Sequence, residues 1–105
     1  MGADAALSDR DRRLLDVVRS LGEGEVVSYG DVADDAGFPG RSRLVGRLLA
    51  VHSGTDLPWW RVVTSAGRLV PSHEAEQSAL LRAEGVVVRS GRVRSAPVGR
   101  FSSSS

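Results

Sequence analysis

No cysteine occurs anywhere in the sequence. A 105-residue chain built that way has no disulfide and no thiolate metal site to staple it. It must be held by one modest apolar core. It also has no thiol nucleophile, so any reaction that needs one is excluded by composition. The two histidines, His52 and His73, lie far apart and lack metal-ligand spacing, so no metal or other cofactor is expected. Hydrophobic residues make up 41% and charged residues 26%, which favours a folded soluble domain over a disordered segment. The longest apolar runs, Leu48–Val51 and Val86–Val88, are far too short to span a membrane. The N-terminus has neither a signal-peptide block nor the myristoylation pattern, since Ala6 replaces the required Ser or Thr. A cytoplasmic protein without membrane association is expected.

The net charge of +1 conceals an uneven distribution. All 14 basic residues are arginine. Residues 1–40 carry a net charge of −5, residues 41–68 carry +4, and residues 69–105 carry +2. A basic middle behind an acidic N-terminal third fits one anion-binding face. A solvated arginine-rich surface fits it equally.

Helical periodicity and capping residues place the elements. Ser8 with Asp11 opens a first helix whose apolar positions are Leu14, Val17, Val18 and Leu21, ending at Gly22. Gly24–Val27 reads as short and extended. Ser28 with Asp31 opens a second, short helix that stops at Gly37. A third helix runs from near Arg41 to about His52. It carries Leu44, Val45, Leu48 and Leu49 on one face and Arg43, Gly46, Arg47 and Ala50 on the other. Two short helices joined by a glycine-containing turn, the second basic outside, read as a helix-turn-helix or as a plain helical hairpin. Leu57–Val63 reads as extended, and Thr64–Val70 as a small hairpin or wing turning at Gly67. Glu74–Glu84 reads as a fourth helix, and Val86–Val88 with Arg92–Arg94 as a weak hairpin.

Three features could carry chemistry. The first is the small-residue, arginine-bearing face of the third helix. The second is the pair Trp59–Trp60: adjacent side chains of an extended segment point to opposite sides, so one faces a pocket or a second element. Two amphipathic core plugs are the plainer reading. The third is Glu84, placed in the last turn of its helix, where the helix dipole disfavours an acid. Either a specific donor lies nearby or the side chain faces water.

Several strings occur in order along the chain: Val27-Ser28-Tyr29-Gly30-Asp31-Val32-Ala33, Gly37-Phe38-Pro39-Gly40, Arg43-Leu44-Val45-Gly46, Leu57-Pro58-Trp59-Trp60-Arg61-Val62-Val63, Gly67-Arg68-Leu69 and Glu84-Gly85-Val86. From about residue 10 to residue 95 the sequence resembles the O6-alkylguanine-DNA alkyltransferases, and more closely their non-enzymatic branch, the alkyltransferase-like proteins. In the repair enzymes the tetrapeptide reads Pro-Cys-His-Arg and the cysteine accepts the alkyl group. Here Trp59 stands at the cysteine position, as in the non-enzymatic branch. Trp60 stands where both groups normally keep histidine. Asparagine, which many of the enzymes carry near the position of His52, is absent from the chain.

The resemblance implies an α+β, mostly helical fold: one winged helix-turn-helix DNA-binding domain over residues 1–105, with a core of about 8–95 and a polar tail, 102–105. It implies recognition of O6-alkylguanine in double-stranded DNA by nucleotide flipping from the minor groove, without repair. Nucleotide excision repair proteins are then the partners of the bound monomer. Arg43 aligns with the arginine that replaces the extruded nucleotide, and Tyr29 with the tyrosine that helps turn it out. Gly46, Arg47 and Ala50 complete the DNA-binding face. The lesion pocket is expected to draw on Tyr29, Trp59, Trp60, Arg61, Val62, Val63, Ser65, Gly67 and Arg68. Glu84 aligns with the glutamate of the enzyme's cysteine–histidine–glutamate relay. Trp60 is expected to donate its indole N–H to Glu84 as a structural remnant of that relay. The rival readings are a winged-helix transcription regulator on undamaged DNA, which would bind as a dimer, and a protein-only interaction module, which leaves the arginine face unexplained.

Overall fold

A computed structural model of the chain describes residues 7–52 and 56–102. Its elements run α1 (Asp9–Arg19), β1 (Glu25–Ser28), α2 (Tyr29–Asp35), α3 (Ser42–His52), a 3-10 turn (Trp59–Arg61), β2 (Val62–Val63), α4 (Glu74–Arg82), β3 (Val87–Arg89), β4 (Arg92–Ser95) and β5 (Val98–Gly99). Residues 103–105 of the expected polar tail fall outside the described residues.

The helix starts obey the capping chemistry read from sequence. Ser8 Oγ accepts from the Asp11 N–H at 3.1 Å. At α2 the box is reciprocal: Ser28 Oγ accepts from the Asp31 N–H at 3.0 Å, and Asp31 accepts from the Ser28 N–H at 2.9 Å. Two orphan donors are thereby satisfied at the start of a helix only seven residues long, too short to stand alone.

β1 is the middle strand of a small parallel sheet, ordered β2-β1-β5. Its side chains alternate between two apolar clusters. Val27 and its partner Val62 face α1, α2 and α3, joining Leu14, Val18, Val45 and Leu48. Val26 and Val63 face the other way, joining Leu69, Leu81, Val88 and Val93 under α4 and the β3–β4 hairpin. The strip of sheet therefore partitions the interior into a helical half and a wing half.

Two expectations need correction, and the wing turn gains a partner. The segment around the tryptophans is not extended: the Arg61 N–H donates to the Pro58 carbonyl at 3.1 Å and closes a 3-10 turn. Extended backbone begins only at Val62. The tryptophans still diverge, since successive residues of a 3-10 turn project about 120° apart. Trp59 packs on the helical cluster and Trp60 on the wing cluster. The expected small turn at Gly67 is present, with the Thr64 N–H donating to the Arg68 carbonyl at 3.2 Å across it. Gly67 closes a tight turn onto Thr64, and the return leg pairs with β4, through Val93 N–H to Gly67 carbonyl at 2.8 Å. A Cβ at Gly67 would lie 2.8 Å from the Val93 carbonyl oxygen, so the wing closes against bare glycine.

The second correction is that regular structure continues past residue 95. β5 runs parallel to β1, with Val26 opposite Gly99. Gly99 has φ +93, and a Cβ there would overlap the Val26 carbonyl oxygen, so only glycine permits the pairing. Arg100 then clamps Asp31 through two hydrogen bonds of 2.8 and 2.9 Å, pinning the C-terminal strand to the start of α2. Two-residue strands leave almost no periodicity to detect, which is why the sequence pattern ended early.

No helix among the described residues is long and apolar enough to cross a membrane.

Candidate nucleic-acid interface

α3 presents the two faces its sequence predicts. Val45, Leu48 and Leu49 are buried in the core, while Arg43, Arg47 and Ala50 are exposed. Gly46 lies between the arginines and the α2 aromatic. A Cβ there would meet the Tyr29 ring only at 3.9 Å, so internal packing does not demand the glycine. Its effect is to keep the outer surface low.

Two concavities flank this face. One is a basic cleft at the start of α3, where Arg41, Arg43 and Arg47 converge with Arg10 of α1. The other is a cavity of about 370 Å³, within the usual size range of small-ligand sites. Tyr29 comes to it from α2, Gly46, Leu49 and Ala50 from α3, and Trp59 from the 3-10 turn. Val70, Pro71, His73 and Glu76 close it from the segment entering α4. The Trp59 ring meets His73 edge-on at 6.1 Å and Trp60 edge-on at 6.2 Å, which fixes its plane at the cavity wall. Burial raises the Tyr29 phenol above its ordinary pKa, so its O–H is retained as a donor at neutral pH.

Four of the expected pocket and face residues meet at this cavity: Tyr29, Gly46, Ala50 and Trp59. Trp60, Arg61, Val62, Val63, Ser65, Gly67 and Arg68 do not line it. Val62 and Val63 are fully buried. Ser65 and Arg68 sit exposed on the wing turn, and Gly67 is packed beneath it. The part of the wall that sequence reading missed, Val70 to Glu76, is held by Gln77. This buried side chain accepts from the Val70 N–H at 2.7 Å and donates to the Trp60 and Val62 carbonyls at 3.1 and 3.3 Å. A glutamine among the apolar positions of α4 was the available signal, because a buried amide has to find partners.

Trp60 and Arg61 belong to a hub behind the cavity. The Trp60 indole N–H donates to Glu84 at 2.8 Å, as expected for that pair. Arg61 grips the same carboxylate with Nε and Nη2, at 3.0 and 2.8 Å, and donates Nη1 to the Leu21 carbonyl at 2.8 Å. The Gly24 N–H completes the set at 2.8 Å. Glu84 lies just beyond the α4 C-cap, Ala83, rather than in its last turn, and its side chain is 10% exposed. Burial pushes its carboxyl pKa up, but the bonds from Arg61, Gly24 and Trp60 outweigh that and hold it below the ordinary value.

Asp31 is lowered further, to about 2, chiefly by the Arg100 hydrogen bonds. Both carboxyl groups titrate lower in the folded chain than in the unfolded one. They therefore stabilise the fold above pH ~4, and the contribution drains away as pH falls through the folded values. The urea midpoint is expected to drop between about pH 5 and pH 2, and Asp31→Asn should flatten that drop. A midpoint constant across this window would contradict both pairings.

Comparisons with known proteins place the chain in a family. The family model described as 6-O-methylguanine DNA methyltransferase, DNA binding domain, matches residues 9–86. A DNA base-flipping protein from Vibrio parahaemolyticus is 35% identical over 79 residues, covering 72% of this chain and 79% of that protein. A DNA base-flipping protein from Escherichia coli is 42% identical over 81 residues, and the match covers 73% of this chain but 62% of that protein. The crystal structure of Schizosaccharomyces pombe Atl1 in complex with damaged DNA containing O6-carboxymethylguanine superposes with a TM-score of 0.70 at 30% identity, over 85% of this chain and 83% of that one. The chain belongs to the 6-O-methylguanine DNA methyltransferase DNA-binding-domain family, in its alkyltransferase-like branch.

Proposed function

We propose that this chain binds duplex DNA carrying O6-alkylguanine, turns the modified nucleotide out into the cavity beside Trp59, and transfers no alkyl group. The observation that carries the reading is one of position. A cavity walled by Tyr29 and Trp59 opens on α3, whose neighbouring positions carry Arg43 and Arg47 beside a basic cleft. Relatives named for base flipping and a relative crystallised on damaged DNA support it.

The roles on this reading combine the family resemblance with the positions of the side chains. Arg10, Arg41 and Arg47 bind backbone phosphates, which supply affinity without sequence preference. Gly46 and Ala50 let α3 approach the minor groove closely. Arg43 enters the duplex and occupies the place of the extruded nucleotide, while Tyr29 borders its path. Flipping costs a few kcal/mol of unstacking and is cheapest at a poorly paired base. Contact with Trp59 offsets part of it, at about 1–3 kcal/mol per stacked base. With no cysteine in the chain, the alkyl group has no thiol to move to. The complex persists and serves as a mark for nucleotide excision repair proteins.

Mass spectrometry and product analysis test the chemistry. After incubation with O6-methylguanine DNA, the protein mass should be unchanged and the lesion recovered intact. A protein heavier by one methyl group, or restored guanine, would overturn the non-catalytic reading.

A further inference from the structure

The cavity wall entering α4 carries charge, and its sign bears on which lesions fit; this inference rests on the lesion-binding reading above. Ser72 has φ +72, a left-handed conformation uncommon outside glycine. The turn it makes leads the chain directly into His73, which rests edge-on against Trp59. One helical turn on, Glu76 joins the same wall, with its carboxylate 3.9 Å from His73 Nδ1. Among the described residues lining the cavity, Glu76 is the carboxylate and no arginine is present. Arg61 holds Glu84, and Arg43 and Arg47 line the separate basic cleft. An O6-alkylguanine admitted here brings its substituent into a small space whose fixed charge is negative. The chemistry of that substituent then matters. A neutral alkyl group meets apolar wall from Leu49, Trp59 and Val70. An anionic substituent meets Glu76, with His73 already facing the same carboxylate.

We propose that Glu76 is a specificity-determining residue that sets the charge class of the adduct, admitting neutral or cationic O6 substituents and discriminating against anionic ones. The basic cleft leaves phosphate binding untouched, so the selection acts on the substituent alone. This chain would thus differ from S. pombe Atl1, which is seen with an O6-carboxymethyl adduct.

The test uses three duplexes identical except for the adduct: O6-methylguanine, O6-carboxymethylguanine and its neutral isostere, O6-carbamoylmethylguanine. Comparing the isosteres separates charge from size. The wild-type protein is expected to bind the carbamoylmethyl duplex about fivefold more tightly than the carboxymethyl duplex, the scale of a partly exposed charge pair. Glu76→Gln should bring that ratio to within about twofold, and the ratio cancels any general loss of affinity. The side chain is 65% exposed, so the substitution is compatible with folding. Equal wild-type affinity for the two isosteres overturns the proposal, and so does a ratio unchanged in Glu76→Gln. If O6-methylguanine is still preferred to guanine in either case, the lesion-binding reading survives. If none of the adduct duplexes is preferred to undamaged DNA, both fail.

Discussion

Glu84→Ala is expected to destabilise the fold by about 3–5 kcal/mol at neutral pH, a large share of the stability of a small domain. The reason is what the substitution leaves behind. The Arg61 side chain is 14% exposed, so its guanidinium would remain buried without a counter-charge. The Trp60 indole N–H and the Gly24 N–H would lose their acceptor at the same time. Glu84→Gln keeps an acceptor but removes the charge, and should fall between Ala and the wild type. Trp60→Phe keeps most of the apolar bulk while deleting one charge-assisted bond, at about 1.5–3 kcal/mol. The two sites share a partner, so their effects should not add: Trp60→Phe should matter little once Glu84 is Ala. Urea denaturation of the four proteins in the cycle measures this. A coupling near zero would mean that the Trp60–Glu84 bond contributes nothing in solution.

The second large effect falls on binding. Trp59→Ala should weaken affinity for lesion DNA by about 1–3 kcal/mol, roughly 5- to 150-fold, while undamaged duplex is little affected. The asymmetry is expected because, on this reading, undamaged DNA is held through phosphates and its bases stay outside the cavity. Arg43→Ala should act similarly on lesion DNA and also reduce the signal of a fluorescent base analogue at the flipped position. Arg47→Ala should weaken both duplexes together and lower the salt dependence by about one phosphate contact. Arg89, exposed at the end of β3, serves as the surface control. Arg100 is unsuitable for that purpose because it holds Asp31. Equal losses for Trp59→Ala on both duplexes would show that the cavity does not receive a base.

Both predictions rest on features of very different visibility in the sequence. The helices were legible because each has an apolar stripe and α1 and α2 also have a serine cap, and local chemistry sets both. The outer face of α3 was legible for the same reason: a helix wheel places Arg43, Gly46, Arg47 and Ala50 together without knowledge of the rest of the fold. The Trp60–Glu84 bond could be anticipated from one donor and one misplaced acid. Arg61 was misassigned to the pocket because its neighbour Trp59 belongs there, although a 3-10 turn sends the two side chains apart. β5 escaped because two residues have no period, and because its partner, β1, lies some seventy residues earlier in the chain. The far wall of the cavity escaped for a related reason. Val70 to Glu76 is tied to the Trp60 carbonyl by the buried Gln77 and meets Trp59 through the His73 ring, and neither partner can be named from local pattern. Arg10 joined the basic cleft from the acidic end of the sequence, where segment charge pointed away from it.

The central claim is that a cavity on the DNA-facing side of α3 receives an alkylated base. The most direct measurement is a binding titration of the intact chain on one duplex containing O6-methylguanine and on the same duplex with guanine, at several salt concentrations. The account predicts tighter binding to the lesion duplex by about tenfold or more, the scale of one stacked base. It also predicts parallel salt slopes, because the phosphate contacts are the same in both complexes. Equal affinity for the two duplexes would contradict it.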